Sequence, residues 1–138
     1  MRRETFMNFT PLYRIEAKIT RTDEIGGNTN RANYYLEGRV EGEISGSYEG
    51  IDYGSLFKTP DGDAVYVHVH ETIKTGAGVI SGLRRGYAIP LKTGGYKVRA
   101  FVFFQTNITQ HAYLNWTVGF AEGTAGPDGL KLTVYKVD

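Results

Sequence analysis

Cysteine is absent from this chain of 138 residues, so disulfide bonds, thiolate metal sites and cysteine nucleophiles are excluded. No window approaches the roughly 18 apolar residues of a membrane-spanning helix. No apolar run follows the charged N-terminus, so we expect no secretion signal. The 16 basic and 15 acidic side chains leave a formal net charge of +1, which gives no electrostatic reason to bind nucleic acid or an anionic membrane. We therefore expect a cytoplasmic protein without nucleic-acid or membrane partners.

Sequence motifs for phosphate binding and for serine nucleophiles are also missing. The chain contains no P-loop, no G-x-G-x-x-G fingerprint and no G-x-S-x-G elbow. Gly76-Ala77-Gly78 lacks the rest of a dinucleotide fingerprint. We therefore expect no nucleotide and no other cofactor.

Glycine and aromatic residues are abundant, with 18 Gly, 10 Tyr and 7 Phe. This composition suits twisted sheets, in which glycine supplies turns and bulges and aromatic rings pack on the pleated faces. Apolar and polar residues alternate with a period of two over residues 13–19, 36–44, 65–70, 98–104 and 112–120. Helical periodicity is nearly absent, so the pattern predicts an all-β chain.

Short glycine-rich turns separate these runs and predict eight or more antiparallel, up-and-down strands. Closing such a meander into a lipocalin-like or calycin-like barrel removes its exposed edges. Residues 79–90 fit either a strand or a loop over the barrel mouth. We expect one barrel domain over residues 1–138, with residues 1–8 as a flexible tail, and a lumen with room for one small ligand.

Six short motifs follow one another along the chain: Gly38-Arg39-Val40-Glu41-Gly42, Asp52-Tyr53, Asp61-Gly62, Phe104-Gln105-Thr106, His111-Ala112-Tyr113-Leu114-Asn115 and Val134-Tyr135-Lys136-Val137. Their order resembles the barrel proteins grouped as domain-of-unknown-function family 3237. The resemblance implies a calycin-like β-barrel and no established reaction, and it makes Asp52 a candidate polar anchor or base. This chain has Gln105 where the family has Glu, and Tyr113 where the family has Trp.

The three histidines fall in two segments that the alternation predicts to be strands, residues 66–70 and 111–115. Side chains two apart share a face of a strand, so each segment gathers polar and aromatic groups on one side. We favour the interpretation in which this mixed face lines the lumen, with rings for stacking and polar groups that fix a ligand's orientation. The candidate ligand-binding residues are Asp52, Tyr66, His68, His70, Phe101, Phe103, His111, Tyr113 and Asn115.

The favoured function is the binding of a small, partly apolar compound that is aromatic or bears a carboxylate. If the site is catalytic, proton transfer of an isomerase, cyclase or lyase type needs the least machinery. One alternative is a cupin-like enzyme in which His68, His70 and His111 hold Zn, Fe or Mn. The other places the aromatic face outside, as the interface of a non-catalytic homodimer or higher oligomer. Arg84-Arg85 fits either an anion clamp on a mouth loop or a solvated pair.

Overall fold

The computed structural model describes residues 7–27 and 30–138, and these form a closed barrel of eight antiparallel strands. Each strand pairs with its neighbour in the chain, and the first pairs with the last, which confirms the predicted architecture. Residues 79–90 belong to the fifth strand. The strands are β1 (Phe9–Ile25), β2 (Arg31–Gly42), β3 (Gly46–Thr59), β4 (Gly62–Thr75), β5 (Gly78–Pro90), β6 (Tyr96–Thr106), β7 (Val118–Gly126) and β8 (Gly129–Val137).

The aliphatic face of each strand points into the barrel. On β4, Val65, Val67 and Val69 are 8%, 4% and 1% exposed, and the residues that alternate with them point outward. The expectation that the mixed aromatic and polar face lines the lumen is therefore wrong. The aliphatic side chains have no polar group that needs a partner inside the barrel, whereas the polar tips of Tyr and His are satisfied by solvent on the outside.

Inward-facing glycines allow the strands to coil tightly enough to close. A Cβ at Gly38 would collide with the carbonyl oxygen of Glu16 on β1, and one at Gly86 with the carbonyl oxygen of Arg99 on β6. A bulge between Ile19 and Arg21 on β1 adds local twist. The high glycine content therefore serves curvature as well as turns.

A 3-10 helix (Thr109–Trp116) stands where the sequence pattern predicts a strand at residues 111–115, so that prediction is wrong. Leu114 from this helix and Ile108 before it are buried and join the core at one end of the barrel. No helix in residues 7–27 or 30–138 is long and apolar enough to cross a membrane. At the chain ends, Asn8 and Asp138 exchange two backbone hydrogen bonds. The rest of the predicted N-terminal tail, residues 1–6, lies outside the described residues.

Candidate functional site

A cavity of about 250 Å³ lies inside the barrel, at the end opposite the 3-10 helix. A larger concavity of about 620 Å³ runs over the outer surface, but it is an open groove lined by charged and polar side chains. The inner cavity has the apolar walls and few polar groups that small-molecule sites share. It is lined by Ile19, Tyr34, Leu36, Asp52, Val65, Val67, Arg84, Ala88, Tyr96, Val98, Ala125, Gly126, Gly129 and Leu130.

Asp52 on β3 is a carboxylate held inside the barrel, with 8% of its surface exposed. Its Oδ1 accepts a hydrogen bond of 2.9 Å from the backbone N–H of His68. The pairing of β3 with β4 is interrupted between the Asp52–Val69 pair and the Ser55–Tyr66 pair. At this gap the side chain of Asp52 takes the place of a backbone hydrogen-bond acceptor. Burial raises the pKa of Asp52, against the opposing effects of this hydrogen bond and of Arg84.

The other oxygen of Asp52, Oδ2, forms no hydrogen bond with any residue in the described part of the chain. Tyr34 on β2 lies directly opposite Asp52 in the sheet register. Both face the lumen, because residues paired across two strands share a face. The cavity therefore offers a free carboxylate oxygen beside an aromatic ring.

Arg84 on β5 reaches the cavity from a fully buried ion pair. Its Nε donates to Glu71 Oε1 at 3.1 Å, and its Nη2 donates to the Tyr48 hydroxyl at 3.2 Å. Tyr48 in turn donates to the same Glu71 oxygen at 2.6 Å. Burial works to lower the pKa of Arg84, but Glu71 and Tyr48 outweigh it and raise that pKa. Burial, followed by the charge of Glu71, also raises the pKa of the Tyr48 hydroxyl.

Within the described residues, Glu71 Oε2 is the buried side-chain polar atom that has no hydrogen-bond partner. Arg84, interpreted from the sequence as part of an anion clamp on a mouth loop or of a solvated pair, is instead a buried residue of β5 that pairs with Glu71. Glu71 is not among the sequence-predicted site residues, although a signal for it exists. Glu71 follows Val65, Val67 and Val69 in the same two-residue phase, so a buried valine face also buries its carboxylate. Arg84 lies four residues after the buried Ile80 on β5, so the same two-residue period also turns its side chain into the barrel.

Most of the sequence-predicted site residues lie away from the cavity. Asp52 lines it, and the other eight do not. Tyr66, His68 and His70 face outward from β4, and Phe101 and Phe103 face outward from β6, half exposed. The 3-10 helix at the closed end of the barrel carries the remaining three, His111, Tyr113 and Asn115.

The match to a protein-family model covers residues 7–137, nearly the entire chain. This chain belongs to the DUF3237 family of proteins of unknown function. No sequence among the curated proteins matches it.

Solved structures similar to this DUF3237 barrel support its fold. A β-barrel-like protein (ABAYE2633) from Acinetobacter baumannii AYE is 16% identical, with a TM-score of 0.83 and full coverage of both chains. The conserved protein of unknown function RPA1785 from Rhodopseudomonas palustris is 18% identical, with a TM-score of 0.81, covering 98% of this chain and 100% of that one. An enzyme from Penicillium herquei is 18% identical, with a TM-score of 0.72, covering 100% and 99%. Identities this low establish the shared fold alone.

The histidines of this DUF3237 chain do not form a three-residue metal site. His68 and His70 stack on the outer face with 3.2 Å between their Nε2 atoms, and Tyr53 meets both edge-on. Burial, then Arg85 and His70, lowers the pKa of His68. His111 lies on the 3-10 helix, and no group of three or more His, Cys, Asp or Glu among the described residues could hold a metal ion. The cupin-like arrangement is therefore wrong, because His68 and His70 lie on the outer face of β4 whereas His111 lies at the closed end of the barrel.

Asn115, one of the sequence-predicted site residues, has a structural position. Its Oδ1 accepts from the backbone N–H of Thr106 at 2.9 Å, and its Nδ2 donates to the carbonyl oxygens of Thr106 at 2.8 Å and Ala112 at 3.2 Å. The side chain thus pairs with the end of β6 as a strand residue would, and holds the 3-10 helix against the barrel.

Proposed function

We propose that this barrel binds one small, partly apolar molecule in its lumen and that Asp52 moves a proton on it. The observation that carries the proposal is a buried carboxylate with a free oxygen, Oδ2, inside an apolar cavity. Burial raises the pKa of the Asp52 carboxyl group, so its ionised form is a stronger base than that of an exposed aspartate. The reaction would be a cofactor-free isomerisation, cyclisation or elimination.

The size and lining of the cavity limit the ligand. Drug-sized ligands occupy pockets of about 300–1,000 Å³, so the cavity of about 250 Å³ suits a molecule of one or two rings. Tyr34 and Tyr96 offer aromatic surface, and Val65, Val67 and Val98 form aliphatic walls. These contacts favour an aromatic compound, which can stack on a tyrosine ring.

The proposed step needs no oxidant and no group transfer. Asp52 Oδ2 takes a proton from an acidic C–H or O–H bond of the ligand, and the electron pair stays on the ligand. The same carboxyl returns the proton to another atom, or a leaving group departs with the electron pair. The Penicillium herquei structure is described as an enzyme, which supports catalysis on a barrel of this shape without indicating the reaction.

Ligand-observed NMR with a panel of one- and two-ring compounds in heavy water tests both halves of the proposal. We expect some compounds to bind and to exchange an acidic C–H proton for deuterium. Asp52→Asn should keep binding and lose exchange. Ala88→Phe should lose binding because the ring fills the cavity, and Ala77→Phe, in the exposed β4–β5 turn, should not. Binding that survives Ala88→Phe in a folded barrel would contradict the lumen as the site.

We also propose that the barrel self-associates through an aromatic surface, defined as Phe9, Phe101, Phe103, Phe120 and Tyr135 on the outside of β1, β6, β7 and β8. Four of its five rings form a connected series, with centroids 5.8 Å apart for Phe101 and Phe120, 5.9 Å for Phe9 and Phe120, and 6.4 Å for Phe9 and Tyr135. Phe9, Phe101 and Phe103 are each about half exposed, at 50%, 54% and 50%.

The area and the charges around the aromatic surface fit a second copy of the chain. An aromatic side chain has about 150–250 Å² to bury, so this surface exposes on the order of 500 Å², against about 800 Å² per partner in a stable interface. Its border carries both signs of charge, because Arg99 lies over the Phe120 ring and Glu122 stands opposite Arg99 in the β6–β7 register. A two-fold interface brings identical patches together, so such a border can complement itself.

The mass in solution tests self-association. We expect the wild-type protein to have at least the mass of a dimer and Phe101→Asp to have the mass of a monomer, because a buried, unpaired carboxylate opposes the contact. Val79→Asp, at an exposed apolar position on β5, is the matched control and should keep the wild-type mass. A monomeric wild-type protein, or a dimer unaffected by Phe101→Asp, would contradict the proposal.

A further inference from the structure

We infer that the cavity selects a neutral ligand that donates a hydrogen bond, such as an alcohol, an enol or a phenol, and that it discriminates against carboxylates. The inference rests on the proposed function and narrows its ligand class. The juxtaposition behind it is a free carboxylate oxygen of Asp52 beside an arginine whose charge is already matched by Glu71.

The charges that line the cavity belong to Asp52 and Arg84. Two of the three guanidinium nitrogens of Arg84 are already engaged, because Nε donates to Glu71 and Nη2 donates to the Tyr48 hydroxyl, so a ligand finds only its remaining N–H groups. The side chains of Arg84 and Glu71 are each 2% exposed, so their opposite charges cancel at close range inside the barrel. The formal charge left facing the ligand is that of Asp52.

A ligand carboxylate would meet a second negative charge beside mostly apolar walls. Like charges in a low-dielectric cavity repel strongly, and each must also lose its hydration. An ammonium group would be attracted to Asp52 but would lose its hydration against mostly apolar walls and lie near the buried Arg84 guanidinium.

The hydrogen-bonding capacity of the cavity fits a donor on the ligand. Asp52 Oδ1 already accepts from the His68 backbone, whereas Oδ2 has no partner among the described residues. An ionised carboxylate only accepts, so a hydroxyl group of the ligand satisfies it. Tyr34 lies opposite Asp52, and the space for its ring exists because residue 54 is glycine: a Cβ there would stand 3.0 Å from Tyr34 Cε2. A ring stacked on Tyr34 places its hydroxyl substituent at Asp52.

Three probes that share one ring and differ in charge test the inference: benzyl alcohol, benzoate and benzylamine. Each is titrated into 15N-labelled protein at neutral pH, and amide shifts of residues around the cavity report binding. We expect benzyl alcohol to bind at least about tenfold more tightly than benzoate, and more tightly than benzylamine. In Asp52→Asn the alcohol-to-benzoate ratio should fall toward one, because the charge is removed and the amide oxygen still accepts from His68.

The outcomes separate the inference from the proposed function. If benzoate or benzylamine binds the wild-type cavity as tightly as benzyl alcohol, the inference is overturned and the lumen remains the site. If none of the three shifts cavity amides and no compound in the wider panel does so, the proposed function fails. The wild-type series decides the first question even where Asp52→Asn does not fold, and a ratio unchanged in a folded Asp52→Asn would also overturn the inference.

Discussion

Asp52 places a titratable carboxyl group where the barrel would otherwise present an apolar wall. The His68 backbone and the charge of Arg84 stabilise its ionised form, but burial has the larger effect and raises its pKa above the usual 3.8. Keeping such a group ionised at neutral pH therefore costs folding free energy. Binding and catalytic sites commonly carry such a cost, because the optimum for stability differs from the optimum for function.

Asp52→Asn should stabilise the protein at neutral pH, and the gain should depend on pH. The folded state holds the Asp52 proton more tightly than the unfolded state, so wild-type stability falls as pH rises from about 3.8 through the raised pKa. Asparagine does not titrate, so the advantage of the variant should grow over that range and then level off. Urea unfolding between about pH 3.5 and pH 7 measures it. A gain independent of pH, or one matched by Asp61→Asn in the exposed β3–β4 turn, would contradict this explanation.

Removing one partner of the Arg84–Glu71 ion pair should lower the free energy of unfolding strongly. Arg84→Met leaves Glu71 buried and unpaired, and removing one partner of such a pair typically costs about 3–5 kcal/mol. The double variant Arg84→Met/Glu71→Met should recover part of that lost stability, because two apolar side chains can be buried without removing a charge from water. Lys74→Met, at the exposed pair with Glu49 of 3.6 Å, should cost less than about 1 kcal/mol. Equal losses at the buried and exposed pairs would argue against a desolvated ion pair.

Among the elements, the 3-10 helix depends on one side chain for its position. Asn115→Ala removes the three hydrogen bonds to Thr106 and Ala112, and we expect a loss of about 1–3 kcal/mol. Amide exchange should quicken in residues 107–116 and at the end of β6, with little change near the open end. Asn115→Asp keeps the acceptor and loses the donors, so it should restore the wild-type rates only in part. Protection unchanged in Asn115→Ala would show that Leu114 alone holds the helix.

The sequence predicts the strands well because a period of two is a direct consequence of strand geometry. The alternation does not show which face of a strand is inside. Val67 and His68 would alternate in the same way whichever of them pointed into the barrel, and the folded barrel shows that it is Val67. Residues 111–115 alternate as well, yet form a 3-10 helix, because Leu114 is buried at the end of the barrel and Asn115 supplies the strand-like hydrogen bonds itself. Arg84 and Glu71 can be recognised as interior groups once it is known that Val65, Val67 and Val69 point into the barrel.

For the whole molecule, closure separates the two surfaces on which the proposals depend. Along β6, Val98, Ala100 and Val102 face the lumen, whereas Phe101 and Phe103 face outward. A change on the outer face therefore leaves the side chains of the cavity in place, provided that the strand pairings are intact.

We therefore expect ligand binding and self-association to be independent. The Phe101→Asp protein should be monomeric and should bind benzyl alcohol within about twofold of the wild-type affinity, because additivity holds for sites that share no contacts. Asp52→Asn should retain the wild-type mass. Measuring both properties on both variants, by NMR titration and by mass in solution, completes the comparison. Loss of ligand binding in a folded Phe101→Asp monomer would show instead that contact between copies shapes the cavity, and that the lumen of a single chain is an incomplete site.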